Sequence, residues 1–259
     1  MKHLNQYVIE YIVKKKLDKP INSEDHYDYF PETKEELIND IKECLDSNNY
    51  NLNCINTSKI TDMANLFEDI EDKDFDVSKW DVSNVENMSY MFNGCKKFNC
   101  DLSDWNVSNV INMNSMFNEC NNFIGKGLEK WNVSKVKYMS NMFNECKKFN
   151  CDLSDWNVSN VTNMNSMFAY CYCINTNLNN WNVNNVANMS NMFYRCEIFE
   201  GKGLENWDVS NVKYANFMFY KCKNFNCDLS NWNINNTTTT DGMFAYCTSL
   251  KNKPSWYKE

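Results

Sequence analysis

The sequence predicts an α/β solenoid of about eight tandem strand-turn-short-helix units, closed at its N-terminus by a helical cap. Three observations predict it. Tryptophan recurs at Trp80, Trp105, Trp131, Trp156, Trp181, Trp207 and Trp232, at spacings of 25 or 26 residues. Between tryptophans the apolar residues keep one fixed order, with Asn, Ser, Asp and Lys filling the gaps. The segment ahead of the array has a different periodicity, which marks it as an element of another kind.

Residues 1–51 read as the cap. Tyr7, Val8, Tyr11 and Ile12 have helical spacing, and Phe30-Pro31-Glu32-Thr33 leads into a second helix through a capping box of Thr33 with Glu36. Leu37, Ile38, Ile41 and Leu45 give that helix an apolar face to lay over the open end of the array, which would otherwise aggregate.

Residues 52–250 are the array. Its first copy is degenerate: Ile55 takes the tryptophan place, Ile60 the following valine place and Leu66-Phe67 the later Met-Phe place. In the copy beginning at Leu102 the spacing L-x-x-W-x-V ends with the period of two expected of a half-buried strand. Met113, Met116, Phe117 and Cys120 then fall at i, i+3, i+4 and i+7, one face of a short helix. A unit of this size cannot bury its apolar face alone, so each apolar position must become a ladder through stacked neighbours. The longer copies carry Gly125-Lys126-Gly127 and Gly201-Lys202-Gly203, where glycine permits a bulge that absorbs the extra residue. Residues 251–259 read as a tail, with Trp256 out of register. The array grew by copying: Cys95 to Phe117 matches Cys146 to Phe168 except for Ile111 against Thr162.

The pattern L-x-x-W-x-V followed by S-N-V-x-N-M-x-x-M-F-x-x-C-x-x-F resembles the BspA-like leucine-rich repeats of bacterial surface proteins and mycoplasma lipoproteins. The resemblance implies a leucine-rich-repeat-like solenoid with a parallel sheet on one face, Leu102, Trp105 and Val107 pointing inward and Cys120 at a small-residue position. It also implies adhesion or protein interaction as the role.

Composition narrows the function. Hydrophobic residues make up 43% of the chain and aromatics 15%, enough for a continuous core. The net charge is −8 and Arg195 is the sole arginine, so nucleic acid is not an expected partner; the run Lys14-Lys15-Lys16 reads as a solvated face. No apolar stretch reaches the roughly 20 residues that span a bilayer, and the N-terminus lacks a signal-peptide pattern. An intracellular or virion-associated location is therefore expected over secretion.

Candidate chemistry resolves into packing. The cysteine after Met-Phe recurs at Cys95, Cys120, Cys146, Cys171, Cys196, Cys222 and Cys247, and reads as a buried thiol packing as a small hydrophobe. Zinc would need converging pairs, and Cys171-Tyr172-Cys173 has no histidine near it; His3 and His26 both precede the array. Asp72, Asp74 and Asp76 open like a calcium loop, but Val77 and Ser83 stand where its glycine and glutamate belong. The Gly-Lys-Gly pairs lack the spacing of a phosphate-binding loop. Asparagine at Asn84, Asn109, Asn160, Asn185, Asn211 and Asn236, with Lys135 in the remaining copy, reads as a satisfier of turn backbone. No catalytic constellation, cofactor, metal or small-molecule substrate is expected.

The outward residues of L-x-x-W-x-V then define the expected binding face: Asp104, Asn106, Lys130, Asn132, Asp155, Asn157, Asn180, Asn182, Asn206 and Asp208. This face is polar and amide-rich. The expected function is a non-catalytic protein-protein interaction scaffold, with a cell-surface or virion adhesin as the alternative.

Overall fold

The computed structural model describes residues 27–235 and 238–258. The helical spacing expected at Tyr7 to Ile12, the three lysines, both histidines and Asn236 lie outside them.

Helix α1, Lys34–Asp46, starts where the capping signal places it: the Thr33 hydroxyl accepts from the Glu36 amide at 3.2 Å. The Glu36 carboxylate reaches back one residue further than a capping box requires, to the Glu32 amide at 2.7 Å. Leu37, Ile41 and Cys44 are buried and join one core with the first copies, where Ile38 and Leu45 pack at the margin. Tyr29 pairs in parallel with Ile55, and Lys34 meets Asp62 at 3.2 Å, so the start of the helix and the segment leading into it are fastened to the degenerate copy.

The copies stack. In one copy Leu102, Trp105, Val107, Val110, Met113, Met116, Phe117, Cys120 and Phe123 are all buried. The phenylalanine of Met-Phe forms a ladder from Phe67 through Phe92, Phe117 and Phe143 onward, with successive centroids 5.4 to 5.8 Å apart. A second ring from the same copy fills the gap, as Phe98 does against Phe92 at 4.1 Å.

Two expected elements take a different form. L-x-x-W-x-V is not a strand but a pair of tight turns, in which Trp105 N–H donates to Leu102 O at 3.2 Å and Val110 N–H to Val107 O at 3.0 Å. Parallel pairing is confined to single bridges, and apart from Tyr29 with Ile55 and Asn51 with Asp76 at the start of the array it falls later in the copy: Asp62 with Asn87, Asn87 with Asn112, Asn112 with Tyr138, and so on to Tyr214 with Thr239.

The Met-Phe segment is likewise not a helix. Alternate amides leave the copy altogether: Met88, Tyr90, Phe92 and Gly94 donate to Asn112, Asn114, Met116 and Asn118 of the next copy at 2.8 to 2.9 Å. The amides between them close turns at home, as Met91 to Met88 and Cys95 to Phe92 do. Each of those turns has a left-handed residue at its third position, such as Tyr90 at φ 58° and Gly94 at φ 75°, and the pair four residues apart recurs down the array. A left-handed residue costs about 1–3 kcal/mol. Eight residues are too few to hold a stable helix by themselves, whereas the turn chain gains a hydrogen bond to its neighbour at every second amide.

The Gly-Lys-Gly insertions are absorbed as expected. Gly125 and Gly127 are left-handed, a short 3-10 turn follows at Leu128–Lys130, and the rings of Trp105 and Trp131 on either side stay parallel within 1°.

Candidate functional site

Two polar ladders run through the interior and a third along its surface turns. Every tryptophan indole N–H donates to the carbonyl of the leucine place one copy back, as Trp156 does to Leu128 at 2.8 Å. Trp256 does the same to Leu229 at 2.9 Å and stacks on Trp232 at 6.3 Å. The residue read as out of register therefore extends the ladder, because a shorter connection still brings its ring to the same place. The repeat cysteines do more than pack: each thiol donates to the phenylalanine carbonyl of the preceding copy, as Cys146 does to Phe117 and Cys171 to Phe143, both at 2.9 Å. Burial pushes these thiols up, Cys95 and Cys247 to about 12 and Cys146 and Cys171 well above the ordinary range. They are poor nucleophiles and poor metal ligands as they stand. The third ladder is amide: Asn109 donates to Ser83 O and Asn160 to Ser134 O, both at 2.7 Å.

Among the described residues no group of three or more His, Cys, Asp or Glu converges to hold a metal. Asp76, in the calcium-like run, accepts from the Ser78 amide at 2.9 Å and so builds a turn. No described helix is long and apolar enough to cross a membrane.

The ten residues of the expected binding face are all exposed, but they stand on turns, and they divide. Asn106, Asn132, Asn157, Asn182 and Asp208 each accept from the amide two residues on, at 3.1 to 3.2 Å, which makes them corner-formers of the fold. Asp104 pairs with Lys79, and Asn206 donates to Asn179. Lys130, Asp155 and Asn180 project from the same turns.

A second surface, absent from the expected one, lies on the turn chain between Met-Phe and Cys. Its two outward residues per copy are polar early in the array and aromatic or cationic later. Asn93, Asn118 and Asn144 form an amide ladder, Asn118 donating to Asn93 at 2.6 Å and Asn144 to Asn118 at 2.7 Å. The same line then continues as Tyr194 and Tyr220, stacked at 4.7 Å. Tyr170 packs against Tyr194 at 5.3 Å, and Tyr246 against Tyr220 at 5.3 Å. Arg195 lies 5.7 Å over Tyr170 and 5.9 Å over Tyr194, and Lys221 lies 5.3 Å over Tyr220 and 5.2 Å over Tyr246. Burial among these rings, and then the Tyr194 phenol, push the Tyr170 hydroxyl up. A groove of about 420 Å³ runs along them, floored by Asn144, Asn191 and Ser166. The signal was present in the two residues between Met-Phe and Cys, which change from Asn-Glu to Tyr-Arg and Tyr-Lys; reading that stretch as a helix dispersed them around a cylinder.

A family model described as "Mycoplasma protein of unknown function, DUF285" matches residues 35–126, 118–203 and 179–258. The chain belongs to that family. The three matches follow one another in tandem, from the first turn of α1 to the residue after Tyr257, so the family's unit is built from several stacked copies. No curated protein and no solved structure matches the chain.

Proposed function

We propose that this member of the family is a non-catalytic protein-protein interaction scaffold, a solenoid whose stacked interior carries a contact surface on its turn face. The observation that carries the reading is the strip of Tyr170, Tyr194, Phe217, Tyr220 and Tyr246 with Arg195 and Lys221 among them, exposed or half-exposed on a face whose N-terminal half is mostly amide and acid. Tyrosine and arginine are the side chains that dominate protein interfaces, because each brings large area, low flexibility and a polar tip. The likeness to BspA-like repeats supports the same reading.

The test is affinity purification of the tagged chain from its native host with mass spectrometry, run beside the Tyr194→Ser, Tyr220→Ser variant and the Asp155→Lys variant. The strip variant is expected to lose its specific partners while keeping its melting temperature. Loss with Asp155→Lys and retention with the strip variant would return the contact to the corner face. Retention in both would remove the reading.

A further inference from the structure

We infer that the turn face pairs with the same face of a second copy of this chain, the two arrays running antiparallel about a dyad through Tyr170. This rests on reading the turn face as the contact surface.

The ladder of second left-handed positions is electrically polarised. Asp69, Glu119 and Glu145 make its N-terminal half acidic, whereas Arg195 and Lys221 make its C-terminal half cationic, with Tyr170 between them. These positions are neighbours in space, since Glu145 N–H donates to Ala169 O and Tyr170 N–H to Tyr194 O of the succeeding copies at 2.8 and 2.7 Å. Neither Arg195 nor Lys221 forms an ion pair among the described residues, and the Arg195 Nε is buried without an acceptor. Glu119 has no ion-pair partner among them either, and Glu145 has Lys147 at a loose 3.9 Å.

A two-fold axis lying across the strip reverses the order of the copies while keeping each ladder opposite itself. Placed at the copy of Tyr170, it sets Glu145 against Arg195 and Glu119 against Lys221, twice each. Parallel alignment would set each charge against its like, which charge complementarity forbids. The strip's two glycines at left-handed positions are Gly94 and Gly242, and the dyad places Gly94 opposite Tyr246 and Gly242 opposite Tyr90. Those tyrosines project, at 64% and 43% exposure, and meet Asp69, which lies over Gly94, and the Phe217 ring, which lies over Gly242. An isologous contact needs this self-complementarity at every pair of positions related by the axis.

Size-exclusion chromatography with light scattering on the full 259-residue chain tests the pairing. The wild type is expected to be a dimer. Arg195→Glu with Lys221→Glu, and separately Glu119→Lys with Glu145→Lys, are each expected to weaken it at least about tenfold by juxtaposing like charges. An equimolar mixture of the two variants should regain a dimer, and so should the chain carrying all four changes. Tyr170→Cys in a Cys173→Ser background should oxidise to a covalent dimer, which decides the matter should a charge variant fail to fold. A monomeric wild type, a dimer indifferent to the charge reversals, or variants that do not recover one another would overturn the pairing. A monomer that still loses its captured partners with Tyr194→Ser and Tyr220→Ser overturns the pairing and leaves the scaffold reading standing. A dimer whose captured partners ignore those substitutions does the reverse.

Discussion

The two halves of the turn face share a backbone and differ in nearly everything they show to solvent. Up to Glu145 the outward line is asparagine and acid, held by amide-to-amide bonds such as Asn144 to Asn118. Beyond Tyr170 it is tyrosine with arginine and lysine over the rings. Underneath, the phenylalanine ladder advances by 5.4 Å from Phe92 to Phe117 and by 5.8 Å from Phe193 to Phe219, with rings parallel within 7° in both places. The lesson is that backbone bonds between copies and the buried rings specify the stack, which leaves the outward pair free to diverge. A duplicated array can therefore keep one core while part of its surface acquires a different chemistry.

The largest expected effect tests whether the two halves do share one interior. The stacked thiols are acids whose ionisation is raised by burial, so in the unfolded chain they ionise first, near the ordinary value of about 8.5. Their contribution is complete below that pH and is lost as pH rises, by about 1.4 kcal/mol per thiol per pH unit until the folded value is reached. The melting temperature should fall steeply between pH 8 and pH 10, both halves melting together. Cys146→Ser and Cys196→Ser keep a donor at the carbonyl and remove one titrating group each, so each should flatten that slope equally. A flat profile in the wild type would show that the thiols are not held as the ladder has them.

Single core truncations come next. Trp131→Ala and Trp207→Ala each remove a stacked ring and an indole bond, to Leu102 O at 3.2 Å and Leu178 O at 3.1 Å. Each should cost about 3–5 kcal/mol by the usual large-to-small penalty. Denaturant midpoints for the two should agree; a marked difference would divide the interior as the surface is divided. Trp256→Ala should cost less, because its ring is part-exposed and stacks on one tryptophan neighbour.

A third comparison uses the insertions, one in each half. A Cβ on Gly127 would lie 2.2 Å from the Ser103 amide nitrogen, and one on Gly203 would lie 2.2 Å from that of Asn179. Both are left-handed, so Gly127→Ala and Gly203→Ala each carry strain as well as a clash, expected at about 1–3 kcal/mol by thermal unfolding. Indifference at either site would show that its bulge can move aside.

How much of this was legible in the sequence follows from what periodicity can carry. The register of the copies, the inward residues, the cap from Thr33 and the absorbing glycines could all be read, because each depends on which residues avoid water or on which one tolerates a left-handed turn. The conformation of Met113 to Cys120 could not. Over eight residues one face of a helix and a chain of alternating turns bury the same places, and length was the discriminating clue. Trp256 was misplaced because the ring, not the residue count, sets the ladder. The tyrosine strip was hidden by the helix reading, since outward residues acquire a common face only once the backbone beneath them is known.

The smallest effect on stability is expected from converting one half of the face into the other, and it is the sharpest test of their difference. Tyr194→Asn with Tyr220→Asn would give the C-terminal line the residues that Asn118 and Asn144 supply on the same backbone. Both tyrosines are half-buried at most and make no contact with the core rings beyond their own ladder. The Asn side chain can bond along the ladder as Asn144 does to Asn118 at 2.7 Å, which offsets the lost ring stack. The melting temperature should move by no more than the roughly 0.5 kcal/mol typical of a surface site for each change. Arg195 would lose Tyr194 and keep Tyr170, and Lys221 would lose Tyr220 and keep Tyr246, so each cation would be held by one ring in place of two. Association should then weaken while folding does not, read as oligomeric state and captured partner on the same preparations whose melting is recorded. A large drop in melting temperature would mean that the tyrosines hold the array together and that the contrast between the halves is structural. An unchanged melting temperature with unchanged association would mean that the aromatic half, for all its difference, is not where this chain makes contact.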